Sequence, residues 1–162
     1  MESIRIDDFV NFNFISGLEY SEDGKYACFA VHKVDLEGND YDTNLWIYKS
    51  DSDQCSQLTA FNKEQRFIWL TDNEHIVFMG MRDPKDRKRQ EQGEVFTVFY
   101  RINIHGGEAE KFFEVPFRVG QIKQIDTANF LLLGVYNPHK PDLTGMDDLR
   151  KAETLKQQKE EQ

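Results

Sequence analysis

Cysteine, histidine and long apolar runs are all scarce in this chain, and each scarcity excludes something. Two cysteines, Cys28 and Cys55, cannot build a disulfide framework in 162 residues. Cys28 lies in an apolar run and reads as a small core residue. The four histidines, His32, His75, His105 and His139, are scattered with no second His, Cys or carboxylate at metal-ligand spacing, so no metal site is expected. No apolar run approaches membrane-spanning length. The acidic start, Met1 to Asp8, lacks the apolar core of a signal peptide. Cations are outnumbered, 20 Lys and Arg against 29 Asp and Glu, for a net charge of −9. That surface repels phosphate backbones and anionic lipid, so neither nucleic acid nor membrane is expected as a partner. A reducing cytoplasm fits this composition.

What the chain does have is aromatic side chains, 13% of all residues, among them 13 Phe. Hydrophobic residues make up 39% and charged residues 30%, enough apolar material for one domain with a sizeable core. Large rings favour pleated, packed surfaces, which leans the chain towards strands.

After a segment 1–14, in which Asp7 and Asp8 are placed to open a short helix, strand patterns follow one another. They cover Ile15–Tyr20, Lys25–Val34, Thr43–Lys49 and Gln54–Thr59, separated by turns at Ser21–Gly24, Asp35–Asp42 and Ser50–Asp53. The layout then recurs: Arg66–Leu70, a turn at Thr71–Glu74, His75–Met81, a polar loop over Asp83–Gly93, a long strand Glu94–Ile104, a hairpin at His105-Gly106-Gly107, and Glu108–Glu114. A third round opens with Arg118–Ile125 and Phe130–Tyr136. The second strands start at Lys25, His75 and Phe130, 50 and 55 residues apart. Four strands in roughly 40–50 residues is the period of a β-propeller blade.

The strand faces agree. His75–Met79 and Phe130–Leu133 are apolar on both faces, while the connections are short turns, so the sheets must be antiparallel and stacked between other sheets. The expected fold is all-β: an incomplete propeller of about two and a half four-stranded antiparallel blades plus a C-terminal helix. Its divisions are an N-terminal segment 1–14, blade 1 at 15–60, blade 2 at 61–116, a partial blade 3 at 117–136, and a break with a polar helix at 137–162. The helix is expected from Met146 to Gln162, with Thr144 and Asp147 as a capping box and Met146, Leu149, Ala152 and Leu155 as its apolar stripe. The helix lacks a stop signal and blade 3 lacks two strands, so a longer polypeptide is expected, and self-association through the open blade edges.

Several short strings here resemble the start of the propeller domain in prolyl oligopeptidase family serine peptidases, in particular the acylaminoacyl-peptidase and dipeptidyl-aminopeptidase branch. They are Ile6-Asp7-Asp8-Phe9, the stretch Ile15 to Tyr26 with its turn Ser21-Glu22-Asp23-Gly24-Lys25, the strand Leu45-Trp46-Ile47-Tyr48, the blade end Gln57-Leu58-Thr59, and the hairpin Gly106-Gly107-Glu108-Ala109. The turn departs from that family's Ser-Pro-Asp-Gly-Lys by a Glu, and Thr71–Glu74 departs further. The resemblance spans most of residues 1–136. It implies a parent protein in which the propeller caps a C-terminal α/β-hydrolase domain carrying the catalytic triad, restricts access by size, and admits short peptides.

For this chain itself the resemblance assigns no catalytic residue. A nucleophile elbow, Gly-x-Ser-x-Gly, is absent, and Ser16-Gly17 has no glycine two positions earlier. No catalytic, cofactor-binding or metal-binding residue is expected, and no cofactor. The basic cluster Lys85, Arg87, Lys88 and Arg89, interleaved with Asp83, Asp86 and Glu91, reads as a solvated insertion, with a docking or gating loop as the sharper alternative. Trp46, Trp69, Phe78, Phe96 and Phe99 read as packing between blades. The expected function is that of a non-catalytic, substrate-gating propeller of a serine exopeptidase or oligopeptidase. Alternatives are a stand-alone propeller interaction module and, with least support, a metal-dependent hydrolase.

Overall fold

The computed structural model describes residues 5–137, 139, 143 and 145–160. A short 3-10 helix, Ile6–Asn11, leads into two four-stranded antiparallel sheets and a two-stranded one. The first sheet is β1 (Asn13–Tyr20), β2 (Tyr26–Asp35), β3 (Asp40–Lys49) and β4 (Gln54–Gln57), paired in chain order. The second repeats that order with β5 (Gln65–Trp69), β6 (His75–Met79), β7 (Thr97–Asn103) and β8 (Glu110–Val115). The third holds β9 (Arg118–Gln124) and β10 (Phe130–Val135).

Two departures from the sequence reading stand out. The polar stretch after β6 is not a loop: α1 spans Pro84–Glu91. Its octapeptide has no apolar residue, so periodicity gives no signal there, yet Asp83 accepts from the Lys85 backbone N–H at 2.8 Å and Pro84 fills the first turn. The strand expected from Glu94 is shorter at its start, and β7 begins only at Thr97. At the other end, α2 spans Asp148–Glu160. Thr144 lies outside the described residues. Asp147 acts as cap, its carboxylate accepting from the Arg150 N–H at 2.9 Å. Of the expected stripe, Leu155 is buried but Leu149 is 79% exposed.

The sheets stack face to face through two cores. In the first, Cys28, Ala30, Leu45 and Ile47 of the first sheet meet Phe67, Ile76, Phe78, Val98 and Tyr100 of the second. In the second, Val77, Met79 and Phe99 meet Ile122 of β9, with Phe130 and Leu132 alongside. Strand β6 therefore buries both faces: Ile76 and Phe78 point one way, Val77 and Met79 the other, all at most 7% exposed. Aromatic rings fill both seams, with Phe78 stacked on Tyr100 and Phe99 on Phe113.

The first strands β1, β5 and β9 are the ones that approach each other between sheets, which places them around a common axis. Hydrogen bonds tie them at the repeat spacing. Trp69 Nε1 donates to the Glu19 carbonyl at 3.0 Å and the Asp23 N–H to Asn73 Oδ1 at 3.3 Å, each pair 50 residues apart. The Thr71 N–H reaches Gln124 Oε1 at 2.9 Å, 53 residues on. Stacked four-stranded antiparallel blades with their first strands innermost form a β-propeller, here two blades and two strands of a third. Beyond blade 3 the sheet face is open: Leu131, Leu133 and Val135 are 62%, 63% and 76% exposed.

The two-faced burial of β6 is testable with neighbouring residues. Phe78→Ala is expected to cost about 3–5 kcal/mol and Met79→Ala about 2–5 kcal/mol in urea unfolding, whereas Leu133→Ala stays within about 0.5 kcal/mol. A sheet covered on one face only would leave either Phe78 or Met79 insensitive.

Candidate functional site

Two constellations carry polar chemistry. The first lies on the strands of blade 1. Ser16 Oγ is 2.7 Å from His32 Nε2, and His32 Nδ1 is 2.8 Å from Thr43 Oγ1. Sequence inspection did not pair these residues. The pairing depends on the β1–β2 register, Phe14 opposite His32, and on the irregularity that follows Ser16. It has the outline of a nucleophile, a base and an orienting group, but the orienting group is the neutral, buried Thr43 hydroxyl rather than the carboxylate that a catalytic triad sets against its imidazole. The trio fastens three strands together, alongside edge-to-face contacts of Tyr41 with Phe14 and His32.

The other histidines also serve structure. His75 Nδ1 is 2.8 Å from Asp72 Oδ2 in the turn before β6, and His105 packs edge-on against Tyr26. The His139 N–H donates to Asn137 Oδ1 at 3.0 Å. Among the described residues no three His, Cys, Asp or Glu side chains gather as metal ligands. Of the five aromatics singled out as packing, Phe78, Phe96 and Phe99 are buried while Trp46 and Trp69 are half-buried.

The second constellation is built on α1, which the sequence reading took for a solvated insertion. Arg89 is its centre. The guanidinium donates to Glu94 at 2.6 and 3.0 Å, to Glu114 at 2.7 and 3.0 Å, and to Asp86 at 2.9 Å. Lys111 bridges Asp86 and Glu114 at 2.9 and 2.8 Å, and Lys151 of α2 lies 3.5 Å from Glu94. Arg89 also lies over the Phe96 ring, 4.1 Å from its centroid. Asp86 is 4% exposed and Arg89 is half-buried, whereas Asp83, Lys85, Arg87, Lys88 and Glu91 face outwards.

Around this cluster opens a cleft of about 590 Å³ between α1, the start of β9, the end of β10 and α2. Phe96, Phe117, Val135 and Leu155 supply apolar wall; Arg118 and Lys151 sit at its border. The volume is in the range of small-molecule sites. Among the described residues no Ser, Thr, Cys or His lines it. The Arg89 bonds hold the Glu114 carboxyl down at about 2 and lower that of Glu94 as well. Both are therefore ionised at neutral pH and committed to Arg89.

Comparison with known proteins bears on the fold. No family model matches the chain. It is 24% identical over 119 residues to an uncharacterised peptidase of Bacillus subtilis strain 168, YuxL, covering 73% of this chain and 17% of that protein. Among solved structures, it aligns with the acylaminoacyl peptidase of Pyrococcus horikoshii at a TM-score of 0.54 and 16% identity, over 71% of this chain and 16% of that one. It aligns with the β-propeller domain of the Trilobed protease of Pyrococcus furiosus, described as having an open velcro topology, at a TM-score of 0.57 and 14% identity, over 83% of this chain and 38% of that one. The chain thus spans about a sixth of the peptidases it resembles, and what it shares with the solved structures is the propeller fold. These matches agree with the resemblance to prolyl oligopeptidase family propellers carried by the sequence motifs.

A carboxylate whose pKa is depressed in the folded state stabilises it above the unfolded pKa, and that contribution fades as the pH falls through the folded value. For Glu114 the window runs from about 4.5 down to about 2. Arg89→Met is therefore expected to lower stability by roughly 2–4 kcal/mol at pH 7, short of a fully buried pair because Arg89 is partly exposed. The loss shrinks towards pH 3, where the stranded carboxylates take up protons. Urea midpoints of both proteins across that range check this; a loss independent of pH contradicts the ionic role.

Proposed function

We propose that this chain is the substrate-gating propeller portion of a serine peptidase that acts on short peptides. Its own residues contribute no nucleophile, and the hydrolytic triad belongs to an α/β-hydrolase domain outside the 162 residues. The observation that carries this reading is the gathering of the three first strands around an axis in a propeller of the kind that peptidases contain. Such a ring admits a chain end or a short peptide and turns away folded protein, so access is limited by size. The Ser16, His32 and Thr43 trio supports a non-catalytic part, because the group set against the imidazole is a neutral hydroxyl rather than a carboxylate.

Partners follow from the same reading. The hydrolase domain would dock on the propeller, and the peptide would pass between them. The open face carrying Leu131, Leu133 and Val135 takes the next blade, or a second copy when the chain is made alone. A cytoplasmic setting accords with two free thiols, Cys28 buried and Cys55 exposed. Burial pushes the Cys28 thiol pKa up and keeps it inert.

A fluorophosphonate probe for serine hydrolases separates the readings. The native gene product is expected to label at a mass several times that of this chain, and the isolated 162 residues to remain unlabelled. An unlabelled native product favours a propeller interaction module with no peptidase attached. Label on Ser16 overturns the non-catalytic assignment.

A further inference from the structure

The three axial strands share an irregularity. Each carries one residue more than its neighbour can pair. On β1 the extra residue falls between Ser16 and Glu19, where Gly17 stands at φ 66°. On β9 the register slips at Gly120, and on β5 at Arg66. Positions 17, 66 and 120 are spaced as the blades are, so each axial strand is bulged at the equivalent place. Glycine stands there in β1 and β9. In β5 it is Arg66, at φ 40°, which shares with Gly17, but not with Gly120, the left-handed backbone that disfavours any residue with a Cβ.

The bulge sends two consecutive side chains of β5 to opposite neighbours. The Phe67 ring turns to blade 1 and lies 3.4 Å from where a Cβ on Gly17 would stand. The Arg66 guanidinium turns to blade 3 and lies 4.0 Å from where a Cβ on Gly120 would stand. Phe67 is buried, which accounts for it. Arg66 is exposed, and among the described residues no carboxylate comes within 4.0 Å of its guanidinium and no hydrogen bond is made to it. The fold thus holds a cation in strained backbone at the axis without using it. Backbone strain kept at such a point marks function.

We propose that Arg66 is a binding residue of the axial passage and takes the carboxylate end of a peptide. The planar guanidinium fork matches a carboxylate two bonds at a time. Polyanions are kept out by the net charge of −9, whereas a peptide with one carboxylate pays little of that repulsion. This deepens the peptide-gating reading and rests on it.

The test is calorimetric titration of the 162-residue chain with acetyl-Ala-Ala-Phe as the free acid, the same peptide as its C-terminal amide, and sodium acetate. The free acid is expected to bind at least tenfold more tightly than the amide and more tightly than acetate. In Arg66→Gly that preference falls to within twofold, and Arg66→Lys keeps part of it. The urea midpoint of Arg66→Gly is expected to equal or exceed the parent's, since glycine relieves the backbone. Acid and amide binding alike, or acetate binding as well as the acid, overturns the proposal. So does Arg66→Gly with its preference intact, or with a lowered midpoint, which makes Arg66 a strut between blades. None of these outcomes depends on hydrolase labelling of the native product, so failure here is distinguishable from failure of the gating reading.

Discussion

Everything in this structure depends on one strand being covered twice. Strand β6 offers Ile76 and Phe78 to blade 1 and Val77 and Met79 to blade 3, and none of the four reaches solvent appreciably. An antiparallel sheet with two apolar faces cannot stand in water by itself. It needs a sheet on each side, and the right-handed twist of sheets turns such a stack into a ring. The first strands gather at the axis as a consequence. The 50-residue hydrogen bonds from Trp69 to Glu19 and from Asp23 to Asn73 are the sequence repeat expressed as contact between blades.

The rim is organised differently. There the chain uses charge rather than apolar burial: α1 is anchored by Arg89 to Glu94 and Glu114, and α2 by Lys151 to Glu94 and by Leu155. Glu64, 1% exposed, pairs with Arg82 at 3.2 Å where the chain enters blade 2. These ionic anchors position the walls of the cleft and leave the axis to the strands.

Most of the blade pattern was legible in the sequence because period, turns and apolar runs report it independently. Strand ends moved by a few residues, as with β3, which begins at Asp40 rather than Thr43. The helix α1 escaped because Pro84–Glu91 has no apolar stripe, although Asp83-Pro84 was a start signal in plain view. The Arg89 cluster could not be read at all: Arg89, Glu114 and Lys151 meet only once three elements have packed. The Ser16–His32 contact needs a strand register that the irregularity after Ser16 sets. A glycine inside a strand, as at Gly17, is a general signal of a bulge, whereas nothing about Arg66 marks the equivalent point in β5.

If blades are held by stacking on one another rather than each by its own strands, they must open together. Residue-resolved amide hydrogen exchange of the 162-residue chain tests this directly. The slowest amides of β2 and β3 are predicted to exchange with the same opening free energy as those of β6 and β7, with β10 at the open face faster. Blade 1 opening at a distinctly lower free energy while blade 2 stays protected would contradict the account.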